Sequence, residues 1–368
     1  MKALMVATVA NFLAGFEYND MKLLQQLGYE VHCAANYDGI MDSRSKKLYE
    51  IGAIKHQIPF SRSPFSRNNF TAYKDLRELV LTEQFDLIHC HTPVAGIIGR
   101  LVAHKCKVPK VIYTAHGFHF YTGAPLKNWI MYYPVEKWCS RYTDYLITIN
   151  KEDFKRASEK LHAKKTVYVP GVGVDTKKFT TGDRGRIRKE LGIDDSEFML
   201  LSVGELNQNK NHESVIRAAE GLDLVYVIAG KGELEDHLKI VASEKGVKLI
   251  LAGYRTDIVD FYAAADAYIL PSVREGLNVS LMEAMASGLP CLCGRIRGNV
   301  DLVDETIGGY LFNPANIAEI KDVMRKMIGL SLEERKKVGQ HNIEKIKGFD
   351  RKVVVDLMIG QHGPYNDG

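Results

Sequence analysis

The feature that most constrains this chain is a run of short apolar, β-branched segments alternating with helical ones, which stops midway and then starts again. Strands are expected at Ala3–Ala7, Tyr29–Ala34, Leu87–Cys90, Val111–Thr114, Tyr145–Ile149 and Thr166–Val169. Helices are expected at Phe16–Leu27, Asn69–Glu83, Pro93–Cys106, Asn128–Cys139 and Lys151–Leu161. Pro93 suits a helix start, because the N–H it lacks would be unpaired there anyway. Strands separated by helices imply parallel pairing through crossovers. VPGVGVDTKKFTTGDRG, residues 169–185, carries Gly, Thr and charge without apolar periodicity and reads as a linker. Strands then recur at Phe198–Val203, Leu224–Ala229, Val247–Leu251, Ala267–Leu270 and Leu289–Cys293. Their apolar runs are continuous, as when both faces of a sheet are covered. A last helix is expected over 349–359, followed by a frayed tail, GQHGPYNDG.

The expected fold is therefore α/β, with two Rossmann-like domains facing a cleft. The first spans 1–173, with the helix over 349–360 packing back on it; the second spans 174–348. A length of 368 residues agrees with two cores. Such sheets bind ligands beyond the carboxyl ends of their strands.

The opening MKALMVATVA reads as a buried strand rather than a signal peptide. No stretch has the length of a membrane span. The six cysteines lie in or near apolar runs without metal-ligand spacing, so reduced core thiols in a cytoplasmic enzyme are expected. The net charge of +4 is unevenly placed: Leu101–Pro170 holds twelve Lys or Arg against five Asp or Glu. That excess suits an anionic partner, a phospholipid surface or a pyrophosphate-bearing acceptor, or else an ordinary solvated face. No base-reading motif accompanies it, so nucleic acid is not an expected partner.

The densest constellation is PSVREGLNVSLMEAMASGLP, Pro271–Pro290. Glu275 falls in a loop after a strand, and Glu283 lies in the helix beginning near Ser280. A loop and a helix carboxylate can accept hydroxyls of one ligand, and a helix start near Asn278 suits a phosphate. The competing reading is two solvated glutamates beside an amphipathic helix.

Glu275, seven residues, Glu283, then Ala-x-Ala-x-Gly-x-Pro closely resembles the family 4 retaining glycosyltransferases of the GT-B fold. VATVANF…LGYEVHCAAN, TAHGFHFYTG, GVGVDTKKF and GELNQNKNHESVIRA resemble its bacterial capsule and exopolysaccharide subgroup, and the likeness runs from about Lys2 to Ile346. The resemblance implies a retaining hexosyl- or N-acetylhexosaminyltransferase. Its donor would be a nucleotide sugar, a UDP-sugar for choice. Its acceptor would be a glycan or a polyprenyl-diphosphate-linked sugar, with the enzyme in the cytoplasm or resting on the inner face of the plasma membrane.

Residue by residue, the resemblance implies that Glu275 touches the donor sugar, Glu283 the ribose and Lys210 the diphosphate, where a cation stabilises the leaving group. Gly276, Leu277 and Asn278 belong to the same donor loop. Gly253, Tyr254 and Arg255 would lie beside the base. Gly230-Lys231-Gly232 reads mainly as a tight turn. Where the family has an arginine, this chain has Glu205; Arg274, Arg297 or the helix start are candidates to replace its charge. Gly15, in an expected loop over Asn11–Phe16, would let backbone approach the diphosphate.

His116 stands where the family places a histidine at the reaction centre. His91, Phe118 and His119 fall on the acceptor side, and His89 is expected to be structural. The pairs His89/His91 and His116/His119 raise a metal, but no carboxylate or cysteine cluster accompanies them in sequence, and no Asp-x-Asp occurs. No metal or other cofactor is expected, protein cations and helix dipoles doing that task. Trp129 and Trp138, among Lys127, Lys137 and Arg141, fit either a membrane interface or a core helix. Rival functions are a UDP-sugar 2-epimerase on the same architecture and a non-enzymatic two-lobed binding protein.

Overall fold

A computed structural model describes residues 1–38 and 47–366. The chain divides into two compact units, Met1–Val172 with Val354–Gly368, and Gly173–Val353.

The first unit is built on β1 (Lys2–Val9), β2 (Glu30–Asn36), β3 (Ile54–Gln57), β4 (Leu87–His91), β5 (Lys110–Ala115), β6 (Tyr145–Thr148) and β7 (Lys165–Tyr168). They form one parallel sheet in the order β3-β2-β1-β4-β5-β6-β7. The second unit holds β8 (Met199–Val203), β9 (Val225–Ala229), β10 (Lys248–Gly253), β11 (Ala267–Leu270), β12 (Cys291–Gly294) and β13 (Gly309–Phe312). Their order is β10-β9-β8-β11-β12-β13, again parallel. Each sheet thus reverses its winding once, at β1/β4 and at β8/β11, and helices cover both faces. That is the doubly wound Rossmann-like arrangement, whose ligands bind at the reversal beyond the strands' carboxyl ends.

Two expectations at the N-terminus need correcting. Asn11–Phe16 is not a loop: a helix, Ala10–Phe16, begins directly after β1. Ala10, Leu13 and Ala14 are buried at helical spacing, and the Phe12 and Phe16 rings pack at a tilt, 5.0 Å apart. One glycine costs a helix only about 1 kcal/mol relative to alanine, so Gly15 does not break it. The expected Phe16–Leu27 helix is instead divided, with Tyr18–Gln26 starting after Glu17. Glu17 (φ −105°, ψ 6°) is the joint between the two.

As far as Asn366, where the described residues end, the tail is not frayed. Val354, Met358 and Tyr365 enter the same core as β1 and β2. Lys110 and Lys165 hold the carbonyls of Asn366 and His362. Tyr365 is the reason: its ring is buried, and its hydroxyl finds two polar partners inside. The expected Leu289–Cys293 strand begins later, at Cys291, because Leu289 and Pro290 close the turn after the preceding helix.

Candidate functional site

In the second unit the reversal of the sheet lies between β8 and β11. The segment after β8 runs from Gly204 to Lys210, and the one after β11 from Pro271 to Asn278. They are stitched together: Asn209 Nδ2 donates to the Arg274 carbonyl at 3.0 Å, Asn211 Nδ2 to the Pro271 carbonyl at 3.2 Å, and Val273 N to the Asn209 carbonyl at 2.9 Å. Lys210 and Glu275 meet across this seam, Nζ to Oε1 2.7 Å, each largely buried.

The helix after this loop is Val279–Ala286. Asn278 caps it, Oδ1 accepting from Leu281 N at 3.0 Å and from Ser280 Oγ at 2.7 Å. Ser280 Oγ also reaches the Val203 carbonyl of β8 at 3.0 Å, so the helix start is fixed to the end of the strand. Glu283, farther along, accepts from Tyr262 Oη at 2.9 Å. Burial pushes its carboxyl above the ordinary range, although Tyr262, Lys178 and Arg351 favour the charged form.

Other donor-side candidates fall around the same strand ends. Glu205 is exposed and accepts from Asn207 Nδ2. Arg297 is buried, and its Nε donates to the Glu275 carbonyl at 3.2 Å; Arg274 is exposed. Gly276 lies so close to Gly298 that a Cβ on the latter would meet the Gly276 carbonyl at 2.1 Å. Leu277 is buried under the loop. Gly253 has φ +70°, Tyr254 is exposed, and Arg255 spends its guanidinium on Asp257 and Glu190 while lying over Phe261. A Cβ on Gly230 would stand 1.7 Å from the Gly204 carbonyl, so close loop packing accounts for that glycine.

In the first unit the reversal lies between β1 and β4. Here Glu17, His91 and His116 converge. Glu17 Oε1 lies 3.1 Å from His116 Nε2 and 3.5 Å from His91 Nδ1, and the two imidazoles approach to 3.3 Å. Glu17 Oε1 and His91 Nε2 are buried and find no aligned hydrogen-bond partner. Phe12 meets the His116 ring edge-on at 4.8 Å and keeps it upright.

Burial and its histidine neighbours hold His91 well below the usual imidazole range, so it is neutral. Among the described residues, these three are the one group whose ligand atoms could share a metal ion, all lying within 4.8 Å. The carboxylate missing beside the histidines in sequence is supplied in space by Glu17.

His89 lies one layer beneath. Its Nδ1 meets Tyr365 Oη at 2.7 Å and its Nε2 meets Thr114 Oγ1 at 2.8 Å, and burial lowers its pKa to about 3. Tyr365 Oη also donates to Asp20 Oδ2 at 3.2 Å. Burial first, then the neighbouring Glu17, raises the Asp20 carboxyl. Thr92, between His91 and Pro93, has φ +62°, a rare conformation for a β-branched residue. Its hydroxyl holds it there, accepting from Thr8 N at 3.0 Å and donating to the His91 carbonyl at 2.6 Å. Glu17, Asp20, Thr92 and Tyr365 were not among the residues expected from sequence.

Phe118 and His119 follow His116 but turn away from it. Phe118 N donates to Asp153 Oδ2 at 3.1 Å, its ring stacks on Phe120 at 4.7 Å, and His119 lies on Tyr132 at 4.5 Å.

Residues 183–345 match the family pattern "Glycosyl transferases group 1" and residues 4–150 match "Glycosyl transferase 4-like". EpsD of Bacillus subtilis (strain 168), whose own assignment as a glycosyltransferase is provisional, is 35% identical over 379 aligned positions, covering 100% of this chain and 97% of EpsD. This chain is a family 4-like glycosyltransferase.

The UDP-Gal:alpha-D-GlcNAc-diphosphoundecaprenol alpha-1,3-galactosyltransferase of Escherichia coli is 32% identical over 263 positions, 66% of this glycosyltransferase and 68% of that one. Anabaena Alr3699/HepE, solved in complex with UDP, superposes with a TM-score of 0.80 over 97% of this chain and 98% of that one, at 17% identity. That likeness is one of fold and identifies the architecture as GT-B.

Proposed function

We propose that this glycosyltransferase takes a hexosyl or N-acetylhexosaminyl group from a UDP-sugar and passes it, with retention, to a glycan or a polyprenyl-diphosphate-linked sugar in polysaccharide assembly. The observation that carries the reading is the Lys210–Glu275 pair beside the capped start of Val279–Ala286. A cation and a helix N-terminus at one strand end suit a diphosphate, and a carboxylate beside them suits sugar hydroxyls.

In this reading the unit around 174–348 binds the donor. Lys210 and the helix start stabilise the departing diphosphate, Glu275 orients the sugar and Glu283 takes the ribose. The loops with Gly253–Arg255 and Arg274–Asn278 complete the donor site, and Arg297, beneath Glu275, contributes the positive field that Glu205 cannot. The unit around 1–173 serves the acceptor, with His116, Glu17 and His91 at the reacting end and Phe118 and His119 lining the cavity beside it. Gly15, two residues before Glu17 in the helix Ala10–Phe16, is assigned to the same end of this unit.

The acceptor assignment draws on the Escherichia coli relative, whose name specifies a diphosphoundecaprenol-linked sugar, and the UDP assignment on the UDP complex of HepE. Among the described residues no helix is long and apolar enough to cross a membrane. We place the enzyme at the cytoplasmic face through peripheral contact by the helix Leu126–Cys139, where Leu126, Ile130 and Trp138 are exposed. No metal is assigned to the reaction.

A panel of UDP-, GDP- and ADP-sugars followed by thermal shift, then transfer to lipid-linked acceptors, tests this. A UDP-sugar should stabilise the fold, transfer should require acceptor, and Glu275→Ala should remove transfer while leaving the fold intact. Full activity of that variant, or conversion of the sugar without acceptor, would sink the proposal. The anomeric configuration of the product, read by proton NMR, tests retention.

A further inference from the structure

A cavity of about 310 Å³ opens in the first unit, beside the histidine site. Its volume is at the lower end of the range for small-molecule sites. Two of its walls continue the segments that carry the histidines: Pro93 and Val94 follow His91 and Thr92, and Gly117–Phe120 follows His116. The floor includes the Tyr113 ring, and the outer wall comes from Met131, Tyr132 and Val135.

The only carboxylate in the lining is Glu136. It is already satisfied, accepting from Arg100 Nη1 at 2.5 Å and Nη2 at 3.1 Å, while Arg100 lies 3.9 Å over the Tyr113 ring. A paired, buried charge asks nothing of a ligand. His119 is engaged with Tyr132. What is left facing the cavity is aromatic and aliphatic carbon.

The rim is apolar too. Phe65 is 82% exposed and Ile130, on the neighbouring helix, 69% exposed. Exposed apolar groups around an empty apolar hollow are costly in water and mark a surface that something covers. The segment that supplies most of the lining, Leu101–Pro170, is the basic one, with twelve Lys or Arg against five Asp or Glu. A ligand that is hydrocarbon at one end and anionic at the other satisfies both features.

We infer that this cavity holds the head-proximal isoprene units of a polyisoprenyl diphosphate, so that the enzyme reads the lipid itself as well as the sugar it carries. The inference rests on the lipid-linked acceptor proposed above and adds a site to it. Methyl-branched, unsaturated chain suits a lining rich in aromatic rings, Phe65, Tyr113, Phe118, Phe120 and Tyr132. At roughly 30 Å³ per methylene-sized group, close to the share of one water in the liquid, the cavity accepts about ten carbons, or two isoprene units, with a third covered by the rim.

The chain's two tryptophans, Trp129 and Trp138, both lie on the helix Leu126–Cys139. Trp129 packs against Phe120 of the cavity lining at 5.8 Å, so its fluorescence reports occupancy. The experiment titrates the full-length protein with inorganic diphosphate and with dimethylallyl, geranyl, farnesyl and geranylgeranyl diphosphates, below their critical micelle concentrations. Each methylene withdrawn from water is worth about fourfold in affinity, so Kd should fall at least tenfold per isoprene unit up to farnesyl and then level off. Val135→Phe, on the outer wall, should raise the farnesyl Kd at least tenfold and leave UDP binding unchanged.

A Kd independent of chain length overturns the inference, and so does straight-chain dodecyl diphosphate binding as tightly as farnesyl. The wild-type series decides even if Val135→Phe folds poorly. UDP titrated into the same protein separates the two readings: UDP binding without chain-length dependence leaves the transferase standing and removes the lipid site.

Discussion

Lys210 is held in an ion pair with Glu275. Its Nζ lies 2.7 Å from Glu275 Oε1, and the two side chains are only 16% and 14% exposed. An arriving diphosphate must therefore compete with Glu275 for this ammonium. The bare Coulomb attraction at that separation, at an effective dielectric of 20, is about 6 kcal/mol. Desolvation offsets most of it, and a hydrogen bond to a charged group nets roughly 1.5–3 kcal/mol. A lysine has three donors, so the diphosphate need not displace Glu275 completely, and the competition is expected at the lower end, about tenfold in affinity.

Glu275→Gln should then bind UDP about tenfold more tightly than the wild type, although transfer falls at least 100-fold because the sugar loses its carboxylate. Lys210→Ala should do the opposite to UDP, weakening it, and should lower kcat by about 10²–10³-fold, as for other removed transition-state cations and donors. Isothermal titration of UDP into the two single variants and the double variant, with turnover measured beside it, completes the cycle. If Glu275→Gln weakens UDP as Lys210→Ala does, Glu275 orients the lysine instead of competing for it, and the reasoning is refuted.

Tyr365→Phe removes a hydroxyl bound to buried His89 and Asp20; it should cost about 1–3 kcal/mol in urea unfolding, and a loss below 0.5 kcal/mol would mean the tail is not anchored there. Glu283→Gln should stabilise the protein more at pH 8 than at pH 4. Burial raises the folded carboxyl above its unfolded value, so the wild type loses stability as pH rises through that interval while the amide does not; equal effects at both pH values would contradict the burial argument. Transfer should survive dialysis against EDTA, with donor KM unchanged. Loss of activity restored by a divalent ion would instead assign a metal to Glu17, His91 and His116.

Strands covered on both faces were legible because burial on both sides demands a largely apolar run: VYVIA and AYIL are unbroken, and LIHC and VIYT each carry one polar residue, His89 and Thr114, which bond to each other inside. The two strands absent from the sequence reading, β3 and β13, are both at sheet edges. Ile54–Gln57 reads IKHQ and is at most half-buried, so half-solvated backbone left no apolar signature. Gly309–Phe312 has only four residues, and its first must be glycine, because a Cβ there would meet the Cys291 carbonyl at 1.8 Å. The divided first helix was hidden for a different reason. Neither Gly nor Pro marks the joint at Glu17, and the break is set by what the joint touches.

That contrast explains the uneven legibility of the site. Glu275 and Glu283 share one loop and helix, so their spacing along the chain already carries the geometry. The histidine cluster depends on contacts that spacing cannot express: Glu17 reaches His116 from another strand end, and Tyr365 reaches His89 across 276 residues. Charge compensation follows the same division. The family resemblance implies an arginine where this chain has Glu205, and read along the chain this is a deficit. In space, Arg297 is buried against the Glu275 carbonyl, where a guanidinium that is always charged raises the local potential. A cation need not touch the phosphate to favour it in a low-dielectric pocket. On the proposed reading the implied arginine is replaced by a change in which segment supplies the field, with Lys210 making the direct contact.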